Sequence, residues 1–301
     1  MLDYRYETFL ILCETRSYTK TAQKLFVTQP TVTQHIQYLE HRYQTRLFEY
    51  KNKQLILTSK GNELYHYALQ LKHNADQAER AMFAPEEKRP LRIGATKTIG
   101  EYIMPPVLAR YIDEYPNTDI DLYVDSTRVL LNKLHNNQID VALLEGFFDK
   151  NGYDYRLLKL EKFLGICSPK SHLANKPVHF SDLLGDRIAV REDGSGNREI
   201  IERLLEQYSL KMTDFRHVCH ISNFAAIKML VKKNEAIAFV YEPVVREELH
   251  TGELVPLCLP DDIRREFNFV MPKQSIFAPE YLAFFDFCQK TMEEQSVHFD
   301  K

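Results

Sequence analysis

The sequence predicts a multidomain protein: a small all-α module that carries a β-wing, a long linker helix, and then a larger α/β domain. Three observations predict this fold class. Apolar residues recur at helical spacing through residues 6–39. A seam of apolar residues then repeats at heptad spacing over residues 64–82. From Leu91 onward, short apolar strands alternate with helical stretches.

Length and composition limit the classes of protein to consider. At 301 residues the chain is longer than one typical domain, so two or three hydrophobic cores are expected. Hydrophobic residues make up 44% of the chain and charged residues 27%, which excludes a wholly disordered protein. Residues 1–18 lack the features of a signal peptide, and no later stretch has the apolar length of a membrane span. We therefore expect a cytoplasmic protein with no membrane partner.

Charge is distributed unevenly, and the cysteines are scattered. The formal net charge is −3, but residues 1–84 hold 11 Lys and Arg against 8 Asp and Glu, a net charge of +3 that favours contact with a polyanion.

The cysteines are odd in number and never paired as Cys-x-x-Cys, which is typical of reduced thiols packed as small hydrophobes. They are Cys13, Cys167, Cys219, Cys258 and Cys288.

Three short helices are predicted in the N-terminal module, and the third has a sharply defined start. The first helix carries the apolar residues of positions 6–13, and the second covers residues 19–25. Thr28 can cap the third helix, and Pro30 stands in its first turn, where the missing N–H costs nothing. The inner face of the third helix is formed by Val32, Ile36 and Leu39.

The outer face of this third helix is polar and uncharged. Glutamine and threonine are side chains that can pair with base edges in the major groove of DNA. A solvated face of an ordinary three-helix module would show the same periodicity. The residues that project outward are Thr31, Thr33, Gln34 and Gln37.

A short strand pair with a basic tip follows, which predicts a β-wing. Five cations surround the third helix in this arrangement. They could contact phosphates, and such contacts position a protein on DNA without specifying sequence. These cations are Lys24, Arg42, Lys51, Lys53 and Lys60.

The long linker helix is capped by Thr58 or Ser59 and has no proline before Pro85. Its apolar residues are spaced alternately by four and three positions, and its small alanines allow a partner helix to approach closely. We therefore expect a homodimer formed through this helix. The predicted dimerisation residues are Leu64, Ala68, Leu71, Ala75, Ala78 and Met82.

Five short apolar strands separated by helices predict a largely parallel sheet in the C-terminal domain. These strands are expected at residues 91–93, 120–124, 141–144, 188–190 and 236–240. The predicted boundaries are 1–58 for the winged helix-turn-helix, 59–84 for the linker helix, 85–90 for a hinge and 91–301 for the C-terminal domain.

Residues of the N-terminal module match the pattern of a known family. The run Ser17-Tyr18-Thr19, Ala22, Leu25, Thr28-Gln29-Pro30, Val32-Thr33, Ile36, Leu39-Glu40, Leu47-Phe48, Leu57-Thr58 and Gly61 resembles the DNA-binding domain of LysR-type regulators. The resemblance implies that Gln29 and Pro30 lie nearest the bases and Thr33 nearest the DNA backbone. The DNA-binding set is then Thr28, Gln29, Pro30, Thr31, Thr33, Gln34, Gln37, Lys51 and Lys53.

Two positions depart from the family's pattern. Tyr43-Gln44 replaces the usual Leu-Gly, so glutamine must form a turn that favours glycine. Tyr50 stands where the family usually has arginine. Lys51 and Lys53 could replace that contact, and the residue that enters the minor groove is left open.

Residues from Leu91 to about Met292 resemble the LysR effector domain, which has the fold of periplasmic binding proteins. The resemblance implies two lobes, one from residues 91–161 and 266–301 and the other from residues 162–265. Hydroxyls and free helix amides would converge beyond the strand ends, which favours an anionic effector, although each hydroxyl could equally be a helix cap. The predicted effector-binding residues are Thr96, Lys97, Thr98, Thr127, Ser195, Asn197, Arg198 and Ser222.

An enzyme and a solute-binding protein are the competing classes. No nucleophile, acid–base set or phosphate loop is found, so no catalytic residue and no cofactor are predicted. His217, Cys219 and His220 alternate along a strand, so no metal site is predicted. Glu145, which precedes a glycine, is interpreted as part of an ordinary turn. A redox-responsive regulator that uses Cys167 or Cys219 is the alternative function.

We therefore expect a sequence-specific, DNA-binding transcriptional regulator that responds to a small anionic metabolite. The implied partners are double-stranded operator DNA, the effector, further copies of the chain in a dimer and a tetramer, and RNA polymerase. A dimer would bind half-sites about one helical turn apart. Effector binding would close the lobes and shift the DNA complex between bent and relaxed forms. The sequence identifies neither the effector nor the regulated genes.

Overall fold

The computed structural model describes residues 3–83 and 90–299. The described residues divide into two compact units: the first holds residues 3–83 with the short segments 135–137 and 272–278, and the second holds the rest. The predicted hinge lies outside the described residues except for Pro90. None of the helices within the described ranges combines the length and the apolar character that a membrane span requires.

The first unit contains three short helices, a two-stranded wing and a long helix, as predicted. Each short helix begins at a polar side chain that accepts a hydrogen bond from a backbone amide of the first turn: Asp3, Ser17 and Thr28. The elements are α1 (Tyr4–Thr15), α2 (Tyr18–Leu25), α3 (Gln29–Tyr43), β1 (Phe48–Lys51), β2 (Gln54–Leu57) and α4 (Ser59–Phe83).

One hydrophobic core joins these elements. The predicted inner face of α3 is confirmed, because Val32, Ile36 and Leu39 are all buried. Burying apolar surface is the main stabilising contribution to such a module, and this core draws on α1, α3, both wing strands and the start of α4. Its buried members are Tyr6, Phe9, Leu10, Leu12, Ile36, Leu39, Leu47, Phe48, Leu55 and Ala68.

Two turns of the first unit use left-handed backbone. Gln44 ends α3 with φ of 49°, so the prediction that glutamine forms a glycine-type turn is confirmed. The wing turns through Asn52 (φ 51°) and Lys53 (φ 62°), which is the geometry of a two-residue hairpin turn. The wing tip therefore presents Lys53 at the outermost point of the strand pair.

The second unit is an α/β domain whose described strands form one nine-stranded sheet. All five predicted strands are present, and their ends differ from the prediction by at most two residues. The strands are β3 (Leu91–Ala95), β4 (Ile120–Val124), β5 (Val141–Glu145), β6 (Tyr153–Cys167), β7 (Arg187–Val190), β8 (His217–His220), β9 (Ile237–Tyr241), β10 (Val255–Pro256) and β11 (Arg264–Pro272). The helices are α5 (Met104–Glu114), α6 (Thr127–His135), α7 (Gly196–Gln207), α8 (Phe224–Lys232), α9 (Glu242–Thr251) and α10 (Ala278–Phe299), with a π-helical turn (Ile99–Ile103) before α5.

The sheet order shows two lobes. The order is β4-β3-β5-β11-β6-β9-β7-β8, with β10 beside β6. β3 pairs parallel with β4 and β5 in the first lobe, and β7 pairs parallel with β8 and β9 in the second. β11 and β6 join the lobes, and the predicted crossing points near residues 162 and 266 fall within these two strands.

Candidate nucleic-acid interface and inter-lobe site

The outer face of α3 and the residues at its start form a polar surface. Gln29, Pro30, Gln34 and Gln37 are exposed, and Thr28 at the N-cap is exposed as well. The hydroxyl-bearing residues of the next turn, Thr31 and Thr33, are half-buried. The predicted DNA-binding residues of α3 therefore lie together, opposite the face that fills the core.

Local hydrogen bonds order this surface. The hydroxyls of Thr28 and Thr31 lie 2.8 Å apart, and the Gln29 side-chain amide donates to the Thr33 hydroxyl at 3.1 Å. Gln29 is thus held against α3, and a base contact by its amide would exchange one hydrogen bond for another.

The cations predicted to meet phosphates fall into two groups. Lys24 forms an ion pair with Glu14 at 2.7 Å, and Lys60 forms one with Glu63 at the same distance. Lys51 and Lys53 are exposed at the wing tip. An acidic partner offsets part of a lysine's attraction for phosphate, so the ion pairs make Lys24 and Lys60 less available to phosphate; contacts of Arg42, Lys51 and Lys53 with phosphate stay a prediction.

The predicted dimerisation seam on α4 is only partly available to a partner. Ala68 is fully buried in the core of its own module, and Leu64 packs against that core. The assignment of Ala68 to a dimer contact is therefore corrected, because a heptad seam also fits packing within one chain. Leu71 is 51% exposed and Met82 81% exposed, while Ala75 and Ala78 are half-buried. Dimerisation through this remaining part of the seam stays a prediction.

In the second unit, three helices begin just beyond the ends of parallel strands. The π-helical turn before α5 starts after β3, α6 starts after β4, and α7 starts after β7. Backbone amides without partners in the first turn give each helix start a partial positive charge. We call the region between the lobes, where α7 of the second lobe meets the end of β5 of the first, the inter-lobe site.

Several contacts join the lobes around this site, among them an edge-to-face contact between the rings of Tyr102 and Phe224. The Lys97 ammonium donates to the backbone carbonyl oxygen of Ser222 at 2.6 Å. The guanidinium of Arg203 lies 3.6 Å from the centre of the Phe147 ring. The lobes are therefore held together by polar and cation–π contacts in addition to the two joining strands.

Glu145 is buried at the end of β5, so its interpretation as part of an ordinary turn is wrong. Gly146 does turn the chain, with φ of 88°, but only 4% of Glu145 is exposed. Burial raises the pKa of Glu145 to about 7, while the smaller effects of Thr98 and Arg191 lower it. A charged residue directly after the apolar run Val141–Leu144 was the signal in the sequence that could have identified it.

Several buried polar atoms around Glu145 make no hydrogen bond of ordinary geometry within the described residues. They are Oε2 of Glu145, the hydroxyl oxygens of Thr98 and Tyr241, and both side-chain polar atoms of Asn197. Thr98 lies beside the Glu145 carboxyl closely enough to lower its pKa, although the contact of its hydroxyl falls short of a hydrogen bond of ordinary geometry. Buried polar groups in proteins are almost always paired, so such a cluster indicates a place for a polar ligand.

The other predicted effector residues lie near this cluster but have partners inside the protein. The Thr96 hydroxyl accepts from the Glu145 backbone amide at 3.2 Å, and the Thr127 hydroxyl donates to the Glu145 carbonyl at 3.4 Å. The Ser195 side chain caps α7. Arg198 forms ion pairs with acids of its own lobe, at 2.6 Å to Asp193 and 2.8 Å to Glu202. Ser222 contributes its carbonyl rather than its exposed hydroxyl to the bond with Lys97.

Arg191 is a charged residue of this region that the sequence interpretation missed. It lies directly after β7 and is buried, and its guanidinium forms two hydrogen bonds to the Glu192 carboxylate at 2.7 and 2.8 Å. The same guanidinium lies 4.6 Å from the centre of the Phe224 ring. A buried cation therefore stands beside the inter-lobe site with its charge partly balanced.

The thiols proposed for a redox response lie in different environments. Cys167 is fully buried, and burial raises the pKa of its thiol to about 11. Cys219 is half-buried in β8. Since the thiolate is the reactive form, Cys167 is poorly suited to oxidation in this conformation.

Comparison with known proteins supports the fold and identifies the family. The sequence model of the LysR substrate binding domain matches residues 84–293, and that of the bacterial regulatory helix-turn-helix protein, lysR family, matches residues 5–62. The HTH-type transcriptional regulator CysL of Bacillus subtilis is 29% identical over 269 residues, which cover 88% of this chain and 89% of CysL.

Solved structures show the same fold. An H2O2-bound mutant of Corynebacterium glutamicum OxyR has a TM-score of 0.64 at 23% identity and covers 98% of this chain and 94% of its own. The Synechocystis PCC6803 CcmR regulatory domain, solved in complex with 2-PG, has a TM-score of 0.59 at 19% identity and covers 67% of this chain and 96% of its own.

A helix-turn-helix module followed by a two-lobed α/β domain defines a ligand-responsive class of transcriptional regulator. The chain belongs to the LysR family. It is a LysR-type transcriptional regulator and not an enzyme, as the sequence predicted. Regulators of this family bind DNA through the helix-turn-helix domain, bind small-molecule effectors and oligomerise.

Proposed function

We propose that this regulator responds to a small anion that binds at the inter-lobe site. The observation that carries the proposal is the set of buried polar atoms on Glu145, Thr98 and Asn197 that make no hydrogen bond of ordinary geometry among the described residues. These atoms come from both lobes, since Thr98 and Glu145 belong to the first and Asn197 belongs to α7 of the second. A ligand that paired with them would therefore link the lobes.

The electrostatics around the site favour negative charge on that ligand. The starts of three helices lie there, and each adds a partial positive charge. Lys97 adds a positive charge at the same edge of the sheet, and the buried Arg191 adds one that Glu192 partly balances. The 2-PG complex of the CcmR regulatory domain makes 2-PG a suitable member of a test panel for this chain.

The test is the thermal stability of the full-length protein with inorganic sulfate, inorganic phosphate and 2-PG. A ligand that binds only the folded state raises the melting temperature in a saturable way. We expect such a rise, and we expect it to be strongly reduced in Thr98→Val, which keeps the size of the buried side chain but removes its hydroxyl. Unchanged affinity in Thr98→Val would contradict the assignment of the site.

For the DNA-bound state, we propose that the exposed face of α3 contacts base edges and that the wing lysines contact phosphates. Anion binding would then change the bend of the DNA and the recruitment of RNA polymerase, with the protein acting in the cytoplasm as a dimer of dimers. A ligand can shift this equilibrium only if it binds the two states unequally. Footprinting on a duplex selected from random sequence, with and without saturating anion, tests the proposal, and identical footprints and bends would contradict it.

A further inference from the structure

Glu145 lies against the start of α7, where the proposed anion would bind. A Cβ atom built on Gly196, the first residue of α7, would lie 3.4 Å from the Glu145 carbonyl oxygen and 3.8 Å from its Cγ. The next residue of α7, Asn197, is 99% buried, and neither of its side-chain polar atoms has a hydrogen-bond partner in the described part of the chain. The backbone and the Cγ of Glu145 in one lobe therefore pack against the first residue of a helix from the other lobe, and both Glu145 and Asn197 are buried there.

The groups that face Glu145 do not provide a full counter-charge. Arg191, beyond β7, is the cation that acts on Glu145, but Arg191 already holds the Glu192 carboxylate with two hydrogen bonds. Tyr241, at the end of β9, is the other titratable neighbour, and burial raises its pKa well above the ordinary value. Arg265 and Glu161 act on Tyr241 in turn. Thr98 and Asn197 complete the surroundings and are neutral.

An oxyanion at the start of α7 would meet a like charge if Glu145 stayed ionised. Two anionic oxygens cannot share a hydrogen bond, and their repulsion is strong where water is excluded. A neutral carboxylic acid in the same position has an O–H that can donate to the anion. The geometry therefore makes the protonation state of Glu145 decisive for the ligand.

We propose that binding of an oxyanion at the inter-lobe site takes up one proton from solvent, which goes to the Glu145 carboxylate, so that the neutral acid donates a hydrogen bond to the anion. This inference rests on the proposed function and specifies the chemistry of the same site. Burial raises the pKa of Glu145 to about 7, so the free-energy cost of protonating its carboxylate at neutral pH is small.

The experiment measures anion affinity against pH for the full-length wild type and for Glu145→Gln. Inorganic sulfate, inorganic phosphate and 2-PG are titrated calorimetrically at about pH 6, 7.5 and 8.5, in buffers of different ionisation enthalpy that report proton uptake. Titration of the ligand itself is common to both proteins and cancels in the comparison. Glu101→Gln, which alters an exposed glutamate of the same lobe, is the matched control.

We expect wild-type affinity for the anion to fall by roughly tenfold between pH 7.5 and 8.5 relative to Glu145→Gln. Above the pKa of Glu145, a tenfold fall in proton concentration lowers the protonated fraction of its carboxyl about tenfold. The wild type should take up close to one proton per anion at pH 8.5, a measurement that needs no variant. Glu101→Gln should behave like the wild type.

Three other results would overturn the inference, and they separate it from the proposed function. Anion binding without proton uptake, and with equal pH dependence in both proteins, would leave the anion site intact but remove Glu145 from it. Absence of binding by all three anions at pH 6 would overturn the proposed function together with the inference. Tighter binding of the zwitterion glycine as pH rises, lost in Glu145→Gln, would identify Glu145 as an ionised partner of an ammonium group.

Discussion

The Lys97 ammonium of the first lobe and the Ser222 carbonyl of the second lobe form a 2.6 Å hydrogen bond. Lys97 follows β3, and Ser222 precedes α8. This bond therefore spans the two lobes at the edge of the sheet where the parallel strands of each lobe end. A cation that is half-buried and bonded to a main-chain oxygen restrains the movement of both lobes.

Replacing Lys97 with methionine should loosen the second lobe at the start of α8. Hydrogen bonds that involve a charged group contribute about 1.5–3 kcal/mol, and partial exposure of Lys97 places the expected loss at the lower end. We expect hydrogen exchange at residues 222–226 to accelerate by roughly tenfold. Lys170→Met, at an exposed lysine of the second lobe, is the control. Equal exchange in the two variants would show that the bond does not restrain the lobes.

Glu145 should make the stability of the protein depend on pH. Its pKa in the folded protein is about 7, above the ordinary value of 4.5, because burial disfavours the carboxylate. The contribution of Glu145 to the free energy of unfolding is therefore fully present below about pH 4.5 and is lost as pH rises through about 7. Glu145→Gln cannot ionise at this position. The difference in free energy of unfolding, variant minus wild type, should therefore increase by about 3 kcal/mol from pH 4.5 to pH 8.5.

Urea unfolding of the full-length protein at both pH values measures this difference. Glu101→Gln, at an exposed glutamate, should show little change between the two values. A Glu145→Gln effect of the same size at pH 4.5 and pH 8.5 would mean that folding does not raise the pKa of Glu145.

Substitutions on α3 and on the wing should alter DNA binding in different ways. Gln29→Ala removes a side chain predicted to contact a base, so discrimination among DNA sequences should fall by about 1–3 kcal/mol. Lys53→Ala removes a phosphate contact, so affinity should fall about equally for all sequences and the salt dependence should decrease by about one counterion. Fluorescence anisotropy with a selected duplex and a scrambled duplex, at several salt concentrations, distinguishes the two results. A uniform loss in Gln29→Ala would contradict its role in base recognition.

The exposed part of the α4 seam should control dimerisation. Leu71 is 51% exposed, so Leu71→Glu should leave the fold intact while placing a charge in the proposed dimer contact. Sedimentation should then show a shift toward monomer and a loss of operator binding. His66→Glu introduces the same charge at an exposed position on another face of α4 and should remain oligomeric. A dimeric Leu71→Glu protein would exclude this seam as the interface.

Cys167 should be unreactive in the folded protein. Burial raises the pKa of its thiol to about 11, so alkylation at neutral pH should be roughly a hundredfold slower than for an ordinary thiol. Cys258, which is exposed, provides the internal comparison in a mass-spectrometric alkylation assay. DNA binding that responds to peroxide in the wild type and not in a Cys167→Ser, Cys219→Ser double variant would favour the redox alternative instead.

Local signals in the sequence predicted most of the fold. Thr28 and Pro30 mark the start of α3 because capping and a missing N–H act within a single turn. Helix capping depends on neighbours in the chain, and the sequence contains that information directly. The turn at Gln44 was predicted instead from the family resemblance, because the family usually has glycine there.

The inter-lobe site was predicted less completely because its properties depend on tertiary packing. The sequence places Thr98 and Asn197 near strand ends, yet nothing in it indicates that their polar atoms are buried without partners. Glu145 followed by glycine has the composition of a surface turn, and only the approach of α7 from the other lobe buries it. Ala68 shows the same limit, since its heptad position fits either a partner helix or the core of its own module.

The link between the lobes has a mechanical consequence. Of the described strands, the neighbours β6 and β11 pass from one lobe to the other, and they are bonded to each other. Just before β11, the Phe163 amide donates to the Ile263 carbonyl at 2.8 Å. A bonded ribbon resists shear and stretching far more than bending. The lobes can therefore move relative to each other chiefly by bending of this ribbon. A ligand held between the lobes changes the angle between them. The bending stiffness of the ribbon determines how far a given binding free energy can change that angle.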